Sequence, residues 1–259
     1  MGMEFLDGVI SAAERTHAPV MLAVTSQAGV APLLAAAVCA ARNSSVPVAV
    51  HLEGVDTREA AVAGIRHGCN GLSWDSADLP AAQNLAAARA AVALAASCGV
   101  TAGVTLRFPA DPKAAVTGAI TAAGRFAEDT GAAFLHLRPD GEMPGGAGEL
   151  STVLRQYAAL SVPLSVDEED VADTALMEAV AGGVAKIRCA AELSNAALQR
   201  CRNLTGPIKG GYSAVSQRIR QGIYEAAAQR LNAWGGAGRA AEVLSSCRRH
   251  REVAHVIIY

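Results

Sequence analysis

Val46-Pro47-Val48-Ala49-Val50-His51-Leu52-Glu53-Gly54 is the stretch on which the fold turns. Side chains alternate strictly along a β-strand, so Val48, Val50 and Leu52 share one face while His51 and Glu53 share the other. Apolar residues on one parity and charged ones on the opposite parity are unusual for a strand buried on both sides.

Six further runs repeat the pattern. In 19–25, Val20, Leu22 and Val24 oppose Met21 and Thr25; in 70–75, Leu72 and Trp74 oppose Ser73 and Asp75. In 100–107, Ala102, Val104 and Leu106 oppose Thr101, Thr105 and Arg107; in 133–138, Leu135 and Leu137 oppose His136 and Arg138. In 162–167, Leu164 and Val166 oppose Ser165 and Asp167, and in 184–188 Ala185 and Ile187 oppose Lys186 and Arg188. Ala-rich stretches of helical length and period, such as 80–98 and 114–129, lie between the runs.

Strand, helix, strand, helix in this order means a parallel α/β sheet. Parallel strands are normally apolar on both parities because helices cover both faces. A regular polar column must therefore point elsewhere, and the interior of a (βα)8 TIM barrel near its functional rim is the natural place.

Composition agrees. At 259 residues the chain has the length of one TIM barrel, about 250 residues in typical cases, and we read 1–259 as a single domain. Hydrophobic residues make up 51% and charged ones 18%, below the roughly 25% usual for soluble domains. Buried strands and Ala-faced helices account for this, and the surface it leaves for self-association suggests a homo-oligomer. A net charge of −2 carries no nucleic-acid footprint, and Arg248, Arg249, His250 and Arg251 form only a local basic helix end.

Residues 18–41 carry no charge, but Thr25-Ser26-Gln27-Ala28-Gly29 and Pro32 break them into strand, loop and helix, so no membrane span is expected. The acidic N-terminus (Glu4, Asp7) is unlike a signal peptide and points to the cytoplasm. The six dispersed cysteines, 39, 69, 98, 189, 201 and 247, would be reduced there. There is no phosphate-binding Walker loop and no strand-to-helix Gly-x-Gly-x-x-Gly.

The chain opens with a helix, because Phe5, Leu6, Val9, Ile10 and Ala13 recur at helical spacing. Only seven strands follow before Val253-Ala254-His255-Val256-Ile257-Ile258-Tyr259, which alternates as an eighth. We expect 253–258 to take the first-strand slot, a cyclic shift of the (βα)8 order, within one chain or by exchange between subunits.

Four segments resemble the class II fructose/tagatose-bisphosphate aldolases, in the right order. Residues 46–54 look like that family's His-Leu-Asp-His-Gly strand, and Trp74-Asp75-Ser76-Ala77-Asp78-Leu79-Pro80 with Asn84 resembles its Ile-Asp-Gly-Ser-His-Leu-Pro segment. Gly183-Val184-Ala185-Lys186-Ile187-Arg188 is similar to Gly-Val-Ala-Lys-Ile-Asn, and Trp234-Gly235-Gly236-Ala237-Gly238-Arg239-Ala240 to Phe-Gly-Ser-Ala-Gly-Lys-Ala. The resemblance implies a TIM barrel and carbonyl chemistry on a small molecule.

It also implies a metal held by histidines, and here this chain departs. The positions matching metal histidines hold Gly54, the run Asp167-Glu168-Glu169-Asp170-Val171, and Arg138-Pro139-Asp140-Gly141-Glu142. The family's acidic strand-five position falls near Gly103 or Thr105. Three acids after strand six would repel phosphate where the family has a glycine-rich loop. We therefore expect no metal and no cofactor.

The carboxylate position survives as Glu53, one methylene longer than the family's aspartate. Glu53, Asp75 and Asp167 are the candidate catalytic residues; His51, Arg107, His136, Arg138, Lys186 and Arg188 are the candidate substrate-binding ones, suited to an anionic small molecule. Lys186 also has the position of a Schiff-base lysine. The resemblance, with a lysine kept there in a metal-dependent setting, favours packing or ion pairing.

Two functional readings stand beside each other. One is an aldolase-like, metal-independent lyase in specialised or carbohydrate-related metabolism. The other is a catalytically inactive barrel, serving as sensor, scaffold or oligomerisation partner, whose polar column is an ion-pair network refilling a discarded metal site.

Overall fold

The alternation places each described strand. The computed structural model describes residues 2–26, 29–109, 118–140, 157, 160–168, 173–181, 183–203 and 210–252. Its elements run α1 (Met3–Thr16), β1 (Val20–Thr25), α2 (Val30–Asn43), β2 (Val48–Val55), α3 (Arg58–Arg66), β3 (Gly71–Trp74), α4 (Ala81–Ser97) and β4 (Thr101–Pro109). They continue as α5 (Gly118–Thr130), β5 (Leu135–Asp140), β6 (Leu164–Asp167), α6 (Asp173–Ala181), β7 (Val184–Arg188), α7 (Ala191–Arg202), α8 (Gly211–Ala233) and α9 (Ala240–Glu252).

Among the described residues, seven strands form one sheet in the order β1-β2-β3-β4-β5-β6-β7. The fold is an α/β barrel of the TIM type, helix first. The expected closing strand, 253–258, lies outside the described residues. No described helix is long and apolar enough to cross a membrane.

The chain divides into two compact units, Met1–His51 with Cys189–Tyr259, and Leu52–Arg188. In the first, the helical spacing read at the N-terminus buries Leu6 and Ala13 in α1, as predicted. Gly8 lets α1 lie against α8, since a Cβ there would come within 2.9 Å of Ile223 Cγ2. Ala12, Leu193, Ala197, Ile223, Ala226 and Ala227 form the core between α1, α7 and α8, with Phe5 and Val9 packed against it.

The Trp234–Ala240 motif is a docking turn. Gly235 and Gly238 adopt φ of 74° and 79°, a left-handed backbone that glycine enters without a Cβ penalty. The turn then donates Gly238 N–H to the Thr16 carbonyl and Ala240 N–H to that of His17, satisfying acceptors just past the helical hydrogen bonds of α1.

In the second unit, register converts the polar column into tiers. Thr105 pairs with His136 across β4 and β5, and His136 with Ser165 across β5 and β6. One step of two residues onward, Arg107 pairs with Arg138 and Asp167 with Arg188. Between β6 and β7 the register shifts at Leu164/Ser165, so Leu164 faces Val184 while Ser165 faces Lys186. Without this one-residue irregularity, strict alternation would set Lys186 against apolar Val166; the shift moves Lys186 and Arg188 to the parity of Ser165 and Asp167. Both parities are buried, as parallel strands require: Leu72, Leu135 and Leu164 on one side, Ser73, Thr105 and Ser165 on the other.

Candidate functional site

Four charged side chains from three strands meet at the C-terminal ends of β2, β6 and β7. Glu53 is 5% exposed and accepts from two cations: Lys186 Nζ lies 2.5 Å from its Oε1, and Arg188 Nη1 lies 3.2 Å from its Oε2. Arg188 also clamps Asp167, with Nη2 2.5 Å from Oδ2 and Nε donating to Oδ1. This is the two-pronged guanidinium–carboxylate geometry that fixes both partners.

Below Asp167, His136 Nε2 stands 3.4 Å from Asp167 Oδ2, while Nδ1 is 3.2 Å from Ser165 Oγ. Ser165 is fully buried, so it orients the imidazole and is closed to substrate as a nucleophile. Burial alone would raise the Asp167 carboxyl. Hydrogen bonds from His136 and Arg188 outweigh it and hold the group well below the usual carboxylate range.

Burial pushes the Lys186 ammonium down, and the positive charge of Arg188 adds to that, against the stabilising pull of Glu53 and Asp167. Arg188 is shifted upward: desolvation would lower it, but Asp167 and Glu53 prevail.

Under Lys186 lies an aromatic floor. Phe134 sits two residues before His136, so it shares the polar parity, and Lys186 Nζ is 4.7 Å above its ring centroid. The ring fits because Gly103 has no side chain: a Cβ there would overlap its atoms. The ring thus fills the space at Gly103, which with Thr105 is one of the two positions near which the resemblance puts an acidic residue. Gly103→Ala should therefore displace Phe134 and cost about 1–3 kcal/mol; a urea midpoint equal to wild type would show that the ring can yield freely.

Arg107 and Arg138 belong to a second cluster. Arg138 Nη1 lies 2.9 Å from Asp75 Oδ2, its Nη2 3.5 Å from Oδ1, and its Nη2 3.6 Å from Asp78 Oδ1. Arg107 donates to Asp78 and lies 3.3 Å from Asp140 Oδ1. Asp75 is set by its own loop, in which Trp74 Nε1 donates to Ser76 Oγ at 2.9 Å and Ser76 Oγ to Asn84 Oδ1 at 2.7 Å, all three side chains buried.

The structure thus brings Glu53, Asp167, His136, Lys186 and Arg188 together, and places Asp75, Arg107 and Arg138 in a neighbouring network. His51 is a buried residue of β2, 2% exposed, two positions before Glu53 and deeper along the strand. Asp78, Asp140, Phe134 and Ser165 were missed as participants by sequence reasoning. Asp140 could have been found by parity, since it follows Arg138 by two on β5.

A histidine-held divalent ion does not fit the described residues of this cluster. Gly54 takes φ of 67°, a conformation that strains any side chain. Glu53 and Asp167 already hold Lys186 and Arg188. A divalent ion 4 Å from either cation would meet a repulsion of about 8 kcal/mol at an effective dielectric of about 20, twice the value for unit charges.

The profile of the family described as "Fructose-bisphosphate aldolase class-II" matches residues 1–106, the part of the chain that includes β2 and Glu53. The YdjI aldolase from Escherichia coli K12 is 25% identical, aligns over 92% of this chain and 89% of its own, and superposes with a TM-score of 0.77. The first 106 residues thus match the class II aldolase family, and the chain shares its fold with solved aldolases. Fructose-bisphosphate aldolase from Campylobacter jejuni shares the fold at 13% identity, with a TM-score of 0.69 over 91% of this chain and 88% of that one. No curated protein matches significantly in sequence.

Proposed function

We propose that this chain is a class II aldolase-like lyase, or a related enzyme, that acts on a carbonyl or carboxylate small molecule without a histidine-bound metal. The observation that carries the reading is Glu53, buried and held from both oxygens by Lys186 and Arg188. A carboxylate fixed between two donors is positioned to move a proton, and the same two cations can stabilise the negative charge that develops on an enolate oxygen.

In this reading Glu53 is the acid/base, and Asp167 and Asp75 orient the arginines. Arg188, Arg138 and Lys186 bind the substrate's carbonyl and anionic ends, with His136 beneath them and Arg107 at the outer edge; His51 is the remaining candidate for substrate binding. A cluster rich in guanidinium suits a carboxylate or other planar anion. The second reading, an ion-pair network without turnover, is favoured by one observation: Arg107, Arg138 and Arg188 each already bind a carboxylate.

Mass spectrometry of the protein purified from its own host would identify a co-purified ligand. The enzyme reading expects that ligand to be chemically altered on incubation; the network reading expects it unchanged or absent. Metal independence has its own test. Exhaustive chelation should leave turnover of that ligand and the melting temperature unchanged, and elemental analysis should find zinc far below one per chain. Stoichiometric zinc, with activity lost on chelation and restored on its return, would sink this part of the proposal.

A further inference from the structure

Resting on the aldolase-like reading, we propose that Lys186 binds the substrate covalently, its Nζ condensing with a ketone or aldehyde carbonyl to an iminium while Glu53 carries the protons. The geometry supplies each part. Nζ is within 2.5 Å of a single carboxylate oxygen, the other oxygen of that carboxylate is pinned by Arg188 at 3.2 Å, and the aromatic face of Phe134 lies 4.7 Å below. Arg188 keeps Glu53 from swinging away, so Oε1 remains aimed at Nζ.

The step balances with no added reagent. Glu53 takes one proton from the ammonium, and the amine lone pair forms a C–N bond to the carbonyl carbon as the C=O π pair moves onto oxygen. Glu53 gives its proton to that oxygen and accepts the second proton from nitrogen, giving a neutral carbinolamine. It then returns this proton to the hydroxyl, which leaves as water while the nitrogen lone pair closes the C=N bond. Ammonium plus carbonyl has become iminium plus water, and Glu53 ends as the carboxylate it began as.

The iminium is the electron sink that the family's resemblance assigns to a metal. It withdraws electrons from the neighbouring carbon, so that a proton or a carbon–carbon bond there can break. Phe134 favours a cation over its face both before and after condensation. Burial and the adjacent Arg188 charge, which push the ammonium down, ease the first proton transfer.

The chain has only three lysines, 113, 186 and 209, so a lysine-directed probe reads cleanly. The full-length protein is treated at neutral pH with pentane-2,4-dione, which condenses with amines to a stable vinylogous amide and needs no knowledge of the substrate. Intact mass should rise by one dione less one water, and peptide mapping should place the label on Lys186, formed on the order of tenfold faster than on Lys113 or Lys209. Lys186→Arg should lose that label, and Glu53→Gln should slow it on the order of tenfold.

Labelling of Lys113 and Lys209 at equal or greater rate, with Lys186 unmodified, would overturn the inference: the ammonium is then locked in its ion pair. That outcome leaves the acid/base role of Glu53 standing, since turnover of the co-purified ligand reads it separately. The converse, a labelled Lys186 with full turnover by Glu53→Gln, keeps a nucleophilic lysine and removes the proposed base.

Discussion

Replacing Glu53 by Gln is expected to lower turnover of the chain's substrate on the order of 10²–10⁴-fold, the range over which a positioned acid/base residue contributes. The substitution preserves size and removes the ionisable group. Glu53 is 5% exposed at the end of β2, so the change alters the cluster and leaves the surface alone. The amide offers one acceptor where the carboxylate offered two, and its NH2 faces a donor from either Lys186 or Arg188. Some stability is therefore lost, and circular dichroism at the assay temperature must show a folded protein before the rate is interpreted.

Glu53→Asp is the companion variant, because it keeps the charge and restores the shorter residue of the family's strand. Its carboxylate retreats by one methylene from Nζ, so it should fall between wild type and Glu53→Gln. Full turnover by well-folded Glu53→Gln would remove the acid/base assignment and leave the cluster as a structural ion-pair network.

The parts of the molecule that were legible in its sequence share a cause. Alternation within each run, with Ala-rich helical stretches between, reports only on which side of a strand each residue lies, and that is enough for a parallel barrel sheet. Glu53, Asp167, Lys186 and Arg188 meet because they hold one parity near the ends of their strands, with β6 and β7 adjacent in the sheet.

Parity alone could not separate Arg107 and Arg138 from that cluster. Their partners Asp78 and Asp140 lie in the loop after β3 and at the last residue of β5, where loop geometry decides the approach. Nor does alternation foresee the register shift at Leu164/Ser165, since a bulge changes pairing without changing either sequence's own period. Phe134 escaped notice for a different reason: an aromatic residue reads as core, and its place under Lys186 depends on an absent side chain at Gly103 on another strand.

Asp167→Asn is expected to cost about 3 kcal/mol of stability, the lower end of the range for breaking one side of a buried pair, because the Asp167 side chain is a quarter exposed. The wild-type carboxylate holds Arg188 through two hydrogen bonds and faces His136; the amide keeps one acceptor and turns two N–H donors toward a guanidinium. The same interactions give a pH signature. The carboxyl is held below its unfolded value near 3.8, so its contribution is fully present above about pH 4 and is lost as pH falls from there toward the folded value. Wild type should thus lose stability steeply below pH 4, and Asp167→Asn should show a shallower decline over the same range. Removing both partners separates the pair's net worth from the damage of breaking it: Asp167→Leu with Arg188→Met leaves Glu53 its bond to Lys186 and replaces buried charge with apolar volume, which is commonly neutral or stabilising. The double variant should therefore recover most of the loss in urea titrations with an unchanged slope. An Asp167→Asn protein within about 0.5 kcal/mol of wild type, the usual effect of a surface change, would mean that Arg188 takes its hold from Glu53 alone.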